Sequence, residues 1–402
     1  MYLASARVLG YHVVHSNDFV YSFLVLLPNQ GEFSPVMSRP ARKQSKRLVG
    51  LQVLRAIALS IFCSLTYLAA QSASTLEPGP KPHDIPARWK PWIGEYGGSP
   101  RSVPFVTVHV VSEKDGYIEI LDRTNPPDGV HYKNAEKFPA KGSSPSAHGL
   151  RTGRSGEREL VSGDVVVDKI TPDFSARAQV AIAAVHPVEE LRKQALAASP
   201  PQENGPFRKP DLVELTTLDP AIHLDIRYAT TNDFLGTPVY SEARAFLERP
   251  AAEALVRALA KLQALGYGLL IHDAYRPWYV TKIFWDATPP EGKIFVADPA
   301  EGSRHNRGCA VDLTLYDLLT GKPIEMPGTY DEMSPRSFPD YPGGTSLERW
   351  HRDLLRRAME SEGFTVYEHE WWHFDYKDWR EYPILNIKFE ELHSGQGLPS
   401  AQ

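Results

Sequence analysis

Short stretches of alternating or β-branched apolar residues mark the first half of the chain. They are "FVTVHVV" (105–111), "YIEIL" (117–121) and "DVVVDKI" (164–170). Such runs, separated by turn residues, are typical of antiparallel strands. The pattern predicts a small β-rich domain of unknown role over residues 85–185. Within it, the Ser/Gly-rich residues 141–160 are predicted to form a mobile loop.

The pattern changes at residue 211. The segments 250–265 and 346–363 place apolar residues at helical spacing. Between and after them, "IHLDIRYA", "YGLLIHDAYRP" and "FTVYEHEWWHFDY" are typical of strands. Helices and strands mixed without regular alternation predict an α+β domain over residues 211–392. A helix and linker over residues 186–210 are expected to join it to the β-rich domain.

The pattern before residue 85 is typical of export. Basic residues precede an apolar run at 56–70 that ends in small residues, which predicts a signal peptide over residues 37–72. An uncleaved membrane anchor beginning at Leu48 is the alternative, although Arg55 interrupts it. Residues 1–36 are interpreted as a misassigned start, and residues 73–84 as a Pro-rich linker. We therefore expect an exported, periplasmic or secreted protein that meets a membrane only through an uncleaved signal.

Composition narrows the possible partners and metal ligands. The net charge of −5 comes without a basic stripe, which argues against nucleic acid as a partner. The two cysteines, Cys63 and Cys309, exclude a disulfide-rich scaffold and a thiolate zinc cluster. Any metal site must therefore use His, Asp and Glu. The oligomeric state is not indicated.

The segment "GSRHNRGCAVDLTL" (302–315) combines a turn histidine, His305, with a strand aspartate, Asp312. Burying Asp312 between apolar residues is costly unless it is paired or binds a metal. The segment "EHEWWHFDY" adds Glu370 and His373. Catalytic zinc takes three protein ligands and keeps one position open, and His305, Asp312 and His373 would supply those three. Glu370 would then act as general base.

Two features of this assignment depend on the fold. Residues 370 and 373 point to opposite faces of a regular strand, so the hypothesis requires a bulge or a helical turn there. His369 is a rival ligand.

A third element is "HDAYRP" (272–277), in which Arg276 follows an apolar strand and could stabilise an oxyanion.

With these motifs the chain resembles the zinc D-alanyl-D-alanine dipeptidases, the family of the vancomycin-resistance dipeptidase, which is related to D,D-carboxypeptidases and hedgehog-type domains. "SRHNRGCAVD" matches the family pattern S-x-H-x-x-G-x-A-x-D, and "EWWH" matches E-x-x-H. "DIRYATTNDFLGTPVY" (225–240) and "DAYRP" are similar to two further family segments. The resemblance covers residues 211–390.

The resemblance implies a hedgehog/D,D-peptidase-like catalytic fold with one zinc ion per chain, bound by His305, Asp312 and His373. It implies that Glu370 is the catalytic base and that Arg276 stabilises the tetrahedral intermediate. Asp331 stands where the family holds the substrate ammonium. Ser303 and Tyr228 match positions near the substrate. The expected reaction is hydrolysis of D-alanyl-D-alanine or a similar small D,D-dipeptide, linked to peptidoglycan turnover.

Two alternatives stay open on the sequence. A cell-wall D,D- or L,D-carboxypeptidase fits the expected export, but it would not need the ammonium-binding carboxylate of Asp331. A non-catalytic zinc-holding module would have no use for Glu370 and Arg276 together.

Overall fold

The computed structural model describes residues 15–16, 19–20, 76–97, 108–124, 130–162, 165–170 and 184–392. The chain forms two compact units, Met1–Cys63 and Ser64–Gln402. In the first unit, strand β1 (His15–Ser16) pairs antiparallel with β2 (Phe19–Val20). The predicted signal peptide over residues 37–72 lies outside the described residues, as does most of the segment 1–36.

The second unit begins with a seven-stranded antiparallel sheet in the order β6-β5-β4-β3-β9-β8-β7. Its strands are β3 (Gly94–Tyr96), β4 (Val108–Lys114), β5 (Tyr117–Thr124), β6 (His131–Pro139), β7 (Leu150–Thr152), β8 (Arg158–Ser162) and β9 (Val165–Ile170). Three of them, β4, β5 and β9, overlap the predicted apolar runs.

The hydrophobic pattern of the sequence does not predict two parts of this sheet. Strand β6 is an edge strand whose residues are mostly exposed, so it shows little of the alternation that marks a half-buried strand. The predicted loop over residues 141–160 was wrong where β7 and the start of β8 lie. Those two strands pair with each other, and β8 pairs with β9, so backbone pairing forms them despite their polar residues.

Residues 184–392 contain four α-helices and two further sheets. The helices are α1 (Val188–Ala197), α2 (Arg249–Gln263), α3 (Trp278–Ala287) and α4 (Ser346–Glu360). The strands are β10 (Leu212–Glu214), β11 (Ile222–Leu224), β12 (Phe246–Glu248), β13 (Tyr267–Asp273), β14 (Ala310–Asp317), β15 (Phe364–Tyr367) and β16 (Glu370–Tyr376). Strands β10 and β12 pair alone, and the other five form a sheet in the order β11-β13-β14-β16-β15.

Local sequence explains the two long helices. Pro250 lies in the first turn of α2, which buries a face of alanines and leucines and is followed by Gly266 in a left-handed conformation. Thr345 and Glu348 form a reciprocal capping box at the start of α4. Both helices pack against the five-stranded sheet. The mixed α/β architecture agrees with the predicted fold class, whereas α3 was not predicted.

The seven-stranded sheet is joined to α4 by a buried carboxylate. Glu113, on β4, accepts a hydrogen bond from the backbone amide of Ser346 (2.8 Å) through Oε2 and one from Gly116 (2.7 Å) through Oε1. Ser346 begins α4, where the first amides have no partner within the helix. Glu113 therefore caps a helix that belongs to the other half of the unit.

None of the helices among the described residues is long and apolar enough to span a membrane.

We expect Glu113→Ala to lower the free energy of unfolding by about 1–3 kcal/mol, because the buried amide of Ser346 and the amide of Gly116 both lose a charged acceptor. Urea denaturation followed by circular dichroism measures this. Glu136→Ala is the matched control, because Glu136 is an exposed carboxylate of the same sheet and its loss should cost no more than ~0.5 kcal/mol. Equal effects of the two substitutions would contradict the capping role.

Candidate active site

The site is built where three strands of the five-stranded sheet meet. Strand β14 lies between β13 and β16, and Asp312 is the register partner of His373 on one side and of Asp273 on the other. His305 belongs to a short 3-10 helix, His305–Arg307, that directly precedes β14. Residues far apart in the chain are thus brought together by strand register.

Strand β16 contains the irregularity that the sequence required. Val366 of β15 pairs with Phe374, but the next residue, Tyr367, pairs with Glu370. One residue of advance along β15 thus corresponds to several residues along β16. The extra residues of β16 form a β-bulge. As a result, the Glu370 Oε2 atom lies 3.7 Å from the Nδ1 atom of His373.

Three ligand atoms converge beside this bulge. The His373 Nδ1 atom lies 3.0 Å from Asp312 Oδ1 and 3.1 Å from His305 Nε2, and His305 Nε2 lies 3.4 Å from Asp312 Oδ1. Tetrahedral zinc with bonds of about 2.0–2.1 Å holds its ligand atoms about 3.3–3.4 Å apart. The three side chains are buried, and their donor set fits such an ion.

Hydrogen bonds on the outer side orient each ligand. His305 donates from Nδ1 to the carbonyl oxygen of Ala274 (2.6 Å), and His373 donates from Nε2 to Asp375 (2.9 Å). The phenol of Tyr330 donates to Asp312 Oδ2 (3.2 Å). Because the outer nitrogens carry the protons, the inner nitrogens of neutral rings present lone pairs to the metal position.

The charges of the cluster favour a cation. Burial opposes ionisation of Asp312, yet His305 and His373 hold the pKa of its carboxyl well below the usual value. Burial likewise opposes protonation of His373, but Asp375 and Asp312 raise its pKa well above the ordinary range. Carboxylates that favour a proton on His373 would also favour a metal cation.

Glu370 has the properties of a general base. Burial raises the pKa of its carboxyl to about 7, and the charge of Asp312 acts in the same direction, whereas His373 opposes it. A base is most efficient when its pKa lies near the working pH. Glu370 faces the same cavity as the three ligands.

Arg276 is held in place by a carboxylate that the sequence analysis did not identify. The Nε and Nη2 atoms of Arg276 donate to Asp273 Oδ2 (3.0 and 2.7 Å), and Tyr240 donates to Asp273 Oδ1 (2.6 Å). The guanidinium lies over the rings of Tyr228 and Phe284. These contacts orient a buried cation toward the cavity.

Asp331 adds a buried carboxylate with unusual backbone geometry. Its φ of 57° is in the left-handed region, which costs a non-glycine residue free energy and is often found at functional sites. The phenol of Tyr228 donates to Asp331 Oδ2 (2.8 Å). Burial, followed by the charge of Asp312, raises the pKa of Asp331 well above its usual value. A substrate cation at this carboxylate would relieve that cost.

All eight predicted site residues line one cavity of about 130 Å³. They are Tyr228, Arg276, Ser303, His305, Asp312, Asp331, Glu370 and His373. Ser303 accepts a hydrogen bond from the His305 amide (3.2 Å) and so shapes the turn that carries this ligand. The rival ligand His369 contacts Tyr367 and Phe338 instead of the metal cluster.

Gly308 and Cys309 have structural explanations within the motif. Gly308 has a φ of 62°, and a side chain there would meet Leu212 and the backbone of Glu248. Glycine is therefore needed for the turn into β14. Cys309 is a fully buried free thiol whose pKa is raised by burial.

The sequence analysis missed Asp273, Asp375 and Tyr330. Asp273 lies three residues before Arg276, and Asp375 lies two residues after His373, so both sit inside quoted motifs. Their spacing to Arg276 and to His373 was the available signal. Tyr330 carries no such signal, because it meets Asp312 only through the fold.

The cavity combines a buried carboxylate whose pKa is raised, three residues that could hold a metal ion and an oriented guanidinium. This arrangement is typical of a metal-dependent hydrolase. Residues 208–392 match a peptidase M15 family model described as D-ala-D-ala dipeptidase.

Individual proteins that are similar to this chain carry the same description as the family model. The chain is 35% identical over 179 residues to the D-alanyl-D-alanine dipeptidase of Escherichia coli (strain K12), covering 44% of this chain and 91% of that protein. The corresponding protein of Enterococcus faecalis is 37% identical over 193 residues, covering 43% and 95%. That of Streptomyces coelicolor is 34% identical over 186 residues, covering 42% and 92%. The chain belongs to the D-alanyl-D-alanine dipeptidase family of zinc metallopeptidases.

We expect Asp375→Asn to weaken zinc binding about 10–100-fold, because His373 loses the carboxylate that fixes its tautomer and ring orientation. Competition with a chromophoric zinc chelator measures the affinity. Asp122→Asn is the matched control, because Asp122 pairs with His109 (2.7 Å) in the seven-stranded sheet, away from the site. Unchanged affinity in the Asp375 variant would show that the carboxylate does not support the ligand.

Proposed function

We propose that this chain hydrolyses D-alanyl-D-alanine or a similar D,D-dipeptide, with one zinc ion per chain held by His305, Asp312 and His373. The observation that carries the proposal is the convergence of these three donor atoms beside Glu370 in one small cavity. The family of the chain supports the substrate class. The reaction is linked to peptidoglycan turnover.

A bound zinc ion supplies Lewis-acid chemistry, polarising the scissile carbonyl and making water more acidic. Glu370 accepts a proton from the attacking water as its oxygen bonds to the carbonyl carbon. Arg276, fixed by Asp273, donates hydrogen bonds to the oxygen that gains negative charge. When the carbon–nitrogen bond breaks, Glu370 returns the proton to the leaving amine.

Selectivity follows from the acidic side of the cavity. Asp331 binds the free ammonium of the substrate, and the phenol of Tyr228 holds that carboxylate in place. Ser303 supports the turn beside the substrate position. The cavity of about 130 Å³ is small beside the ~300–1,000 Å³ of common ligand pockets. A short substrate with a free amino terminus fits these features better than an internal segment of a long peptide.

The domain organisation and location are part of the proposal. Residues 85–185 form a β-rich domain, and residues 211–392 form a catalytic domain with the hedgehog/D,D-peptidase-like fold. Residues 37–72 direct export to the periplasm or beyond, and their basic and apolar composition supports this. Export brings the enzyme to the compartment in which cell-wall peptides are processed.

We expect Glu370→Gln to lower kcat for D-Ala-D-Ala about 10²–10⁴-fold while zinc binding persists, because the amide cannot accept the proton. Release of D-alanine measures the rate, and metal analysis measures bound zinc. Glu368→Gln is the matched control, since Glu368 is an exposed carboxylate two residues away. Bound zinc with no turnover even in the unsubstituted protein would favour a binding module.

We expect Asp331→Asn to raise KM for D-Ala-D-Ala by about tenfold or more, because a buried charge-assisted contact to the ammonium is lost. The unsubstituted enzyme should not cleave N-acetyl-D-Ala-D-Ala, which has no ammonium. Steady-state kinetics on both substrates test this. Efficient cleavage of the acetylated substrate would instead indicate a carboxypeptidase.

A further inference from the structure

A second cavity lies apart from the catalytic one. Its volume is about 590 Å³, within the range of small-molecule sites. Strands β13 and β14, helix α4 and the loop 323–330 line it on one side, and residues Asp84, Lys90 and Ile93 line it on the other. Those three residues lie outside the segment 208–392 that matches the dipeptidase family. The N-terminal part of this chain therefore completes a cavity that the family domain alone does not enclose.

Three hydrogen-bonding atoms in the lining of this cavity have no partner among the residues that the structure describes. They are the indole Nε1 of Trp371, the hydroxyl of Thr314 and the Nη1 atom of Arg227. Trp371 and Thr314 are only 3% and 6% exposed. A buried polar group without a partner costs free energy, so a ligand that accepts hydrogen bonds from these groups would bind favourably.

The remaining lining defines the chemistry of that ligand. Leu270, Ile324 and Leu347 offer apolar surface for small side chains. The exposed carboxylates of Asp84 and Glu325 lie on the same cavity, with Lys90 paired to Asp84 at 2.6 Å. The three buried donors would bind amide or carboxylate oxygens of a ligand, and the two exposed carboxylates would bind its ammonium group.

We propose that this cavity is a second binding site, which takes a short zwitterionic peptide. The peptide oxygens accept hydrogen bonds from Trp371, Thr314 and Arg227, and its amino terminus lies toward Asp84 and Glu325. The site is distinct from the dipeptide cavity, because none of these five residues lines the latter.

Tyr330 connects the two cavities. Its ring lines the second cavity and stacks on His272 (4.5 Å between ring centres), while its phenol donates to the metal-binding carboxylate of Asp312. Asp331 and Met333, a few residues further along the same loop, line the catalytic cavity. An occupant of the second cavity therefore contacts the segment that also shapes the catalytic one.

Calorimetric titration of tri-L-alanine into the full chain carrying Glu370→Gln tests the proposal without heat from turnover. We expect binding, weakened about two- to tenfold by Thr314→Val and by Trp371→Phe, because each removes one hydrogen bond. Thr314→Val keeps the side-chain shape, and Trp371→Phe keeps an aromatic ring while removing the indole donor. Thr365→Val is the matched control, an exposed threonine of the same sheet, and it should leave the Kd unchanged. Near-ultraviolet circular dichroism verifies folding, and either donor variant that folds decides the test.

The Asp331→Asn variant distinguishes tripeptide binding in the second cavity from binding in the catalytic cavity. A Kd that is unaffected by Asp331→Asn and raised by the donor variants supports the second site. Binding weakened by Asp331→Asn alone would assign the tripeptide to the catalytic cavity and overturn the proposal. So would an absence of binding at millimolar tripeptide, or donor variants that bind as tightly as the Thr365 control.

Discussion

The structure depends on the register of one central strand. Residues Ala310–Tyr316 of β14 are all buried, and Val311, Leu313 and Leu315 lie in the apolar core. Exchanging the two faces of the strand would therefore place the Asp312 carboxylate in that core. A shift by one residue would turn Asp312 away from His373 and Asp273. The same register therefore joins a metal ligand to the second ligand strand and to the carboxylate that orients Arg276. Burial of apolar residues on β14 is what holds the polar residues in place.

Much of this site could be predicted because its residues sit in short motifs with informative neighbours. An aspartate inside an apolar strand is costly unless it is paired or binds a metal, and the nearby glutamate and histidine of "EWWH" supplied candidate partners. The sequence even indicated the bulge in β16, since Glu370 and His373 could not otherwise share a face. Asp273, Asp375 and Tyr330 were missed, because a hydrogen-bond partner is defined by register and loop path. The helix α3 and the polar strands β6 to β8 were missed for a related reason, since tertiary packing and backbone pairing outweigh local pattern there.

The seven-stranded sheet is attached through buried polar contacts. Tyr341, from the segment before α4, donates to Glu95 (3.1 Å), which also pairs with Arg123 (2.5 Å). Burial raises the pKa of Glu95, although Arg123 opposes this. Ion pairs in such surroundings contribute little net stability, but they penalise any arrangement that separates them. Together with the contact of Glu113 at the start of α4, they favour one geometry for the attachment of the sheet.

The buried thiol of Cys309 has a consequence for chemical durability. Disulfide exchange and oxidation require an accessible thiolate, and Cys309 is fully enclosed with its pKa raised by burial. The thiol lies directly after Gly308, at the start of the metal-binding strand, and its burial shields it from disulfides and oxidants in the folded state. The segment that carries two of the three proposed metal ligands thus contains a thiol that the fold protects from oxidation.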